Sequence, residues 1–329
     1  MVRLVINGQE FTNFSINDLT LIYNAITSTF GFSGLDNYAP KPLTYPKVEI
    51  YHDDVLILTG TILNQNYSDE AKPTLVSVTG YSIAGVLDDC TIPLSAMPME
   101  LNNMSLKEIC EKLLPLYDIA FSFENSVAEL MNKKFEKVNF DYDKTIKSII
   151  IELATERGIF VNHTAKGEVR FTDSSAHNLK IVEHFEDYGT MKMDLDVNGQ
   201  GMHSEISMLA GTSDSNITEG EVTLKNPYCT VKRPVIYKMS TGDSIDVNEA
   251  VRLKLSAELR NIVLKIETTK FIKPGNLITV KSERLKINNR VAFFVEQTVI
   301  SQDNQGLKYS MNCVLKDVYT KTEVKNELR

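Results

Sequence analysis

Leu75-Val76-Ser77-Val78-Thr79-Gly80-Tyr81-Ser82, followed by Leu87-Asp88-Asp89-Cys90, Ser105-Leu106-Lys107-Glu108 and the run from Asp143 through Gly158 to Phe171, is the stretch that decides the fold. Val76 and Val78 alternate with small or polar residues, the period-2 signature of a half-buried strand, which ends in the turn leading to Cys90. Ser105 and Glu108 form a capping box, in which a hydroxyl and a carboxylate three residues on satisfy the unpaired amides of a helix start. Leu106, Ile109, Cys110, Leu113 and Leu114 then make one apolar stripe. A second helix starting near Asp143 turns Ile146, Ile149, Ile150 and Leu153 inward and Lys144, Lys147, Glu152 and Glu156 outward, and Gly158 supplies its left-handed stop. Ile159 to Val161 and Val169 to Phe171 pair across Ala165-Lys166-Gly167, completing a small α+β module.

On the N-terminal side, Leu4/Ile6, Leu19/Leu21, Val48/Ile50 and Val55/Ile57 alternate between Gly, Asn, Asp and Pro, the pattern of an all-β domain. His52-Asp53-Asp54 between two alternating runs predicts a hairpin turn. Asn24 to Pro46 breaks the pattern: Gly31, Gly34, Pro40, Pro42 and Pro46 interleave with Phe30, Phe32, Tyr38 and Tyr45. It reads as a long loop carrying aromatics, either as contacts to a partner chain or folded over the domain's own core. On the C-terminal side, strands return from Glu205-Ile206-Ser207-Met208 through Val222-Thr223-Leu224 to a final hairpin, Val291 to Ile300 with Leu307 to Leu315. Asp246 and Glu249 repeat the capping logic for a helix reaching Arg260, and Pro274-Gly275 signals a type II turn. The division is a β domain over 1–95, a small α+β domain over 96–185, a second β domain with one helix over 186–320, and a flexible charged tail over 321–329. The fold class is α+β, mainly β.

A chain of 329 residues with 43% hydrophobic content can bury more than one core. A formal net charge of -8 argues against gripping nucleic acid, which takes clustered Lys and Arg. Met1 to Gly8 reads as strand and turn rather than the apolar core of a signal peptide, and no run approaches the roughly 20 apolar residues of a bilayer span. A soluble chain made in the cytoplasm, with no membrane insertion, is expected. Cys90, Cys110, Cys229 and Cys313 show no C-x-x-C spacing and read as small hydrophobes without a disulfide.

Few motifs carry chemistry. Gly80-Tyr81-Ser82-Ile83-Ala84 approaches the G-x-S-x-G nucleophile elbow but fails at Ala84 and lacks alternating β and α units with an acid and a His downstream, so a strand-end turn is the reading. Asp194-x-Asp196-x-Asn198-Gly199 with Glu205 fits a twelve-residue calcium loop, yet no helix enters it, Glu205 reads as strand, and Met202 stands where an oxygen donor is common; a solvated turn is expected. His52, His163, His177, His184 and His203 show no ligand spacing. No catalytic residue, cofactor or metal site is assigned.

The Leu75 to Phe171 stretch resembles the baseplate hub proteins of contractile-tailed phages, the Mu-type tail protein and late control protein D group. Gly80-Tyr81-Ser82 to Cys90 is similar to the end of that family's first barrel, Ser105-Leu106-x-x-Ile109-Cys110 to its first small-domain helix, and Asp143-x-x-Ile146 to Phe171 to its second helix and hairpin. Helix Asp246 to Arg260, strand Ile262 to Glu267, Pro274-Gly275-Asn276-x-Ile278-x-Val280 and the last hairpin follow its second barrel. The resemblance implies two tail-tube-like β-barrel domains flanking the α+β domain, and a homotrimer whose six barrels form a ring adapting a sixfold tail tube to a threefold central spike. It implies a structural, non-enzymatic role in the tail baseplate of a virion or related contractile injection particle, assembled in the host cytoplasm. The implied partners are the tail tube protein, a separate central spike protein, baseplate wedge proteins, the tape measure protein and DNA in transient non-specific passage. Phe30, Phe32, Tyr38 and Tyr45 are the candidate contact residues. Two alternatives stand beside this, a serine hydrolase acting at Ser82 and a β-rich carbohydrate-binding tail module; the absence of Trp weighs against the second.

Overall fold

The computed structural model describes the chain apart from residues 36–40, 70–74, 139, 174–179, 188–191, 210–220, 239–246, 304–305, 321–322 and 329. It divides into two compact units. Unit 1 comprises Met1–Ala154, Phe160–Thr172 and Val299–Tyr309; unit 2 comprises Thr155–Ile159, Asp173–Thr298 and Ser310–Arg329. Among the described residues no helix is long and apolar enough to cross a membrane.

Unit 1 opens with seven strands: β1 (Val2–Ile6), β2 (Gln9–Phe11), β3 (Phe14–Ile22), β4 (Thr29–Leu35), β5 (Lys47–His52), β6 (Val55–Ser68) and β7 (Leu75–Ser82). They pair in the order β3-β4-β7-β6-β5-β1-β2, each neighbouring pair antiparallel. The predicted hairpin is present: His52 pairs with Val55 across Asp53 and Asp54, both at positive φ, the turn whose twist matches that of its strands. Register shifts at Ile16/Asp18, Ile50/Tyr51 and Ile62/Asn64 mark bulges, which bend a sheet and sharpen its twist. Alternation does the rest, with Val48 and Ile50 of β5 and Leu4 of β1 pointing into one core.

The stretch from Asn24 to Pro46 is a correction. Thr29–Leu35 is an inner strand of this sheet, and Phe30 and Phe32 are buried. Glycine content made the segment look like a loop, but Gly60 and Gly80 form a slot for an aromatic ring. A Cβ at Gly60 would lie 2.7 Å from Phe30 Cε1, and one at Gly80 would lie 2.6 Å from Phe30 Cζ. Phe30 pairs directly with Gly80 across the strands, so its ring covers sheet surface that has no side chain of its own.

The α+β part of unit 1 follows the sequence closely. Helices α1 (Val86–Asp89), α2 (Leu106–Leu113), α3 (Ala128–Asn132) and α4 (Ile146–Glu156) alternate with β8 (Phe121–Phe123), β9 (Ile159–His163) and β10 (Val169–Asp173), which form a sheet in the order β8-β10-β9. The α2 capping box is complete, with Glu108 N–H donating to Ser105 Oγ at 3.2 Å and Ser105 N–H donating to Glu108 Oε2 at 2.7 Å. Gly158, at φ 66°, ends α4 as expected.

Unit 2 holds β11 (Ile181–Glu186), β12 (Lys192–Val197), β13 (Glu205–Leu209), β14 (Glu221–Lys225), β15 (Pro234–Lys238), α5 (Val247–Leu259), β16 (Ile262–Thr268) and β17 (Leu277–Ser282), with β18 (Ile287–Asp303) up to Thr298 and β19 (Gly306–Leu315) from Ser310. One sheet runs β12-β16-β19-β18-β17-β11, and a second runs β14-β13-β15. Helix α5 packs on β13 and β14 through an apolar face that includes Val251, Leu255 and Leu259. Asp246, the expected cap, lies outside the described residues. Gly275 takes the positive φ that the Pro274-Gly275 turn predicts. The α+β, mainly β class is borne out. Within the expected tail, Tyr228 and Lys316 form hydrogen bonds to Lys325 and Glu327.

Candidate functional site

Ser82 sits where a nucleophile elbow would place it, at the end of β7 before a one-turn 3-10 segment, Ile83–Gly85, and α1. Its hydroxyl is out of reach of a substrate. It is fully buried, donates to the Ile26 carbonyl at 3.1 Å and accepts the Ser28 N–H at 3.1 Å. The histidine in the neighbourhood, His163 on β9, bonds elsewhere: its Nε2 lies 2.7 Å from Ser28 Oγ. Ser28 is itself buried and accepts the Ile22 N–H at 3.2 Å, so no substrate reaches it. Serine and histidine here pin the β9/β10 hairpin to the connection between β3 and β4. The hydrolase reading at Ser82 is thereby corrected, since activation takes an accessible oxygen on a free base.

The calcium-like spacing is also resolved into ordinary structure. Asp194 and Asp196 lie on β12 opposite Lys265 and Val263, Asn198 accepts the Gln200 N–H to cap a 3-10 turn, and Glu205 starts β13. Lys192 pairs with Asp194 at 3.2 Å. A calcium loop needs its oxygens to converge around one glycine turn, whereas here Asp194 and Asp196 share one face of a paired strand and Glu205 belongs to another strand. Among the described residues no cluster of three or more His, Cys, Asp or Glu could hold a metal ion.

Of the four candidate contact residues, Phe30 and Phe32 are core, and Tyr38 lies outside the described residues. Tyr45 is 53% exposed, and its neighbour Leu43 is 78% exposed. Both take positive φ, 62° for Leu43 and 46° for Tyr45, an uncommon conformation for bulky residues and one that persists only where the surroundings hold it. Val55 in the β5/β6 turn, also in unit 1, is 65% exposed.

Sequence reading missed three polar clusters inside the units. In unit 1, buried His52 faces the Tyr309 hydroxyl, Nε2 to Oη 2.8 Å, while Asp53 lies 3.2 Å from its Nδ1 and pairs with the Met1 amino group. Burial pulls the His52 pKa down, against the partly compensating charge of Asp53. In unit 2, the buried Glu258 carboxylate accepts the His203 N–H and faces His203 Nδ1, both at 2.7 Å, with Asn226 Nδ2 at 3.4 Å, tying α5 to the segments flanking the β14-β13-β15 sheet. Arg260 Nε donates to Glu296 Oε1 at 2.9 Å, the Tyr319 hydroxyl donates to the same oxygen at 2.6 Å, and Tyr319 stacks on Phe294 at 4.0 Å between centroids. These are satisfied networks that fix packing. Their partners stand far apart in sequence, so no local pattern signals them.

What remains is a chain of sheets, closed polar networks and a few exposed apolar positions. Its fold is that of phage tail proteins. It superposes on the 43 kDa tail protein of prophage MuSo2 from Shewanella oneidensis with a TM-score of 0.78 at 14% identity, covering 96% of this chain and 98% of that one. A tail protein from Neisseria meningitidis MC58 gives 0.77 at 16% identity, with 98% of each chain covered. An E. coli type VI secretion component, described as structurally similar to two T4 bacteriophage tail proteins, gives 0.62 at 13% identity, with 99% of this chain and 79% of that one covered. Residues 84–173 match the family "Baseplate hub protein gp44-like, second domain", and they overlap most of the Leu75 to Phe171 stretch that resembles hub proteins. No curated protein matches the chain by sequence.

Proposed function

We propose that this protein is the structural hub of a phage tail baseplate or related contractile injection particle. Three copies form a ring in which each subunit supplies two tube-like barrels, over 1–95 and 186–320, with the α+β domain over 96–185 between them. The ring joins a sixfold tail tube on one face to a threefold spike on the other, with wedge and tape measure proteins as further neighbours. A heterologous ring also buries strand edges that would otherwise template aggregation. The observation that carries this reading is the hub-family match over 84–173 inside a chain whose whole length has the tail-protein fold.

The role is structural, not enzymatic: the matched proteins are tail components, and the Ser82 hydroxyl is consumed by backbone hydrogen bonds. The net charge of -8 suits a bore through which DNA slides without sticking. Tyr45, with Leu43 beside it, is the subunit or partner contact, supported by exposed apolar surface on a backbone held in an uncommon conformation. Light scattering of the purified chain tests the assembly. A particle of about 111 kDa, three times the 37.0 kDa chain, is expected. A monomer at every concentration up to that found in an assembling particle would remove the ring.

A further inference from the structure

The last described segment, 323–328, is held over unit 2 by a small set of bonds. The Tyr228 hydroxyl donates to the Lys325 carbonyl at 3.0 Å and accepts the Glu327 N–H at 3.4 Å; Asn326 Nδ2 donates to the Pro227 carbonyl at 3.1 Å; Lys316 Nζ donates to Glu327 Oε1 at 2.6 Å. Under this strap lies a cavity of about 480 Å³, walled by Leu224, Pro227, Leu255 of α5 and Val324 of the strap itself. The Asp317 carboxyl, only 4% exposed, reaches the same cavity.

We propose that the strap is an acid-closed latch: it seats over the cavity when Asp317 carries a proton and lifts from α5 and β14 when Asp317 is ionised.

The charges facing Asp317 make it so. Glu327 on the strap repels an anion there, and Lys316, which favours one, is shared with Glu327. Arg252 on α5 donates to the Thr320 carbonyl at 3.1 Å, Lys225 and Glu323 complete the polar rim, and the neutral Tyr228 hydroxyl lies near enough to feel the Asp317 charge. Thr320 hydrogen-bonds the Asp317 side chain, and this does not offset the loss of water. Desolvation and the Glu327 charge together push the carboxyl from 3.8 up to about 6. The sign follows from linkage. The closed state holds the proton more tightly than the open one, so closure is strongest below the ordinary carboxylate range and weakens as pH rises through about 6. One pKa unit is a factor of ten, so the closing constant falls by up to about 100-fold from about pH 4 to pH 8.

Hydrogen exchange of the full chain, corrected for intrinsic rates, reads this directly. Protection of the Lys325 to Leu328 amides should fall roughly 10-fold between about pH 5 and pH 7.5, with the fall complete by about one unit above pH 6, while β16 and β19 stay protected. Asp317→Asn should keep the strap protected at both pH values. A drop of the same size in Asp317→Asn, a wild-type strap whose protection ignores pH, or loss of protection by β16 and β19 in step with it would each overturn the latch. Should Asp317→Asn not fold, the wild-type titration decides alone, and protection that is flat between about pH 4 and pH 6, or that keeps falling above about pH 7, rejects it.

Discussion

Replacing Phe30 by Ala separates a core role from a contact role. The Phe30 ring is 2% exposed and lies against two strand positions, Gly60 and Gly80, that have no side chains. Truncation of a buried Phe costs about 3–5 kcal/mol, and the upper part of that range applies where neighbours cannot collapse into the void. Here two walls of the void are backbone, since a Cβ at Gly80 would lie 2.0 Å from the Thr61 carbonyl oxygen and one at Gly60 would lie 2.4 Å from that of Tyr81. We therefore expect Phe30→Ala to lose about 4–5 kcal/mol, a fall of roughly 10 °C or more in Tm for a unit of this size. Chemical denaturation and calorimetry of purified variants measure it. A loss under about 1 kcal/mol with unchanged cooperativity would refute the glycine-slot account and return Phe30 to the surface.

Four further outcomes follow from the same geometry. Tyr45→Ala should leave the folding free energy within about 0.5 kcal/mol of wild type while weakening self-association, read by sedimentation; a destabilised monomer with intact association contradicts the contact role. Ser105→Ala removes the α2 cap and should cost about 1 kcal/mol in denaturant unfolding, partly restored by Asp at the same position. Glu258→Ala strands the His203 and Asn226 donors and should cost roughly 2–4 kcal/mol, with loss of amide protection in β13 and β14 first. His52 has a folded pKa below its unfolded value, so its contribution is present above the unfolded value near 6.5 and is lost as pH falls below it toward the folded pKa. His52→Gln should flatten that part of the stability profile, and an unchanged profile would show that other groups set it.

The local grammar of the fold was legible. Alternation placed β5 and β6, Ser105 and Glu108 marked α2, and Gly158 stopped α4, because each of these is decided within a few residues. The strand at Thr29–Leu35 was not legible, because its glycines suggest a loop until Gly60 and Gly80, from two other strands, are seen to receive Phe30. The same limit hid Ser28 and His163, which meet 135 positions apart. It also hid the interleaving of the units, in which Thr155–Ile159 belongs to unit 2 and Val299–Tyr309 to unit 1. Motif spacing misled in the opposite sense. Asp194, Asp196 and Glu205 have the intervals of a calcium loop, but pairing with β16 holds the two aspartates in an extended strand and Glu205 opens a strand of another sheet.

The central claim is that three copies of one chain, each giving two barrels, close a hollow ring. Electron microscopy of the particle identified by light scattering tests it most directly. The account predicts end-on views of a ring with a central bore, threefold in strict symmetry and near sixfold in outline; a compact particle without a bore, or a ring of any other subunit number, would contradict it.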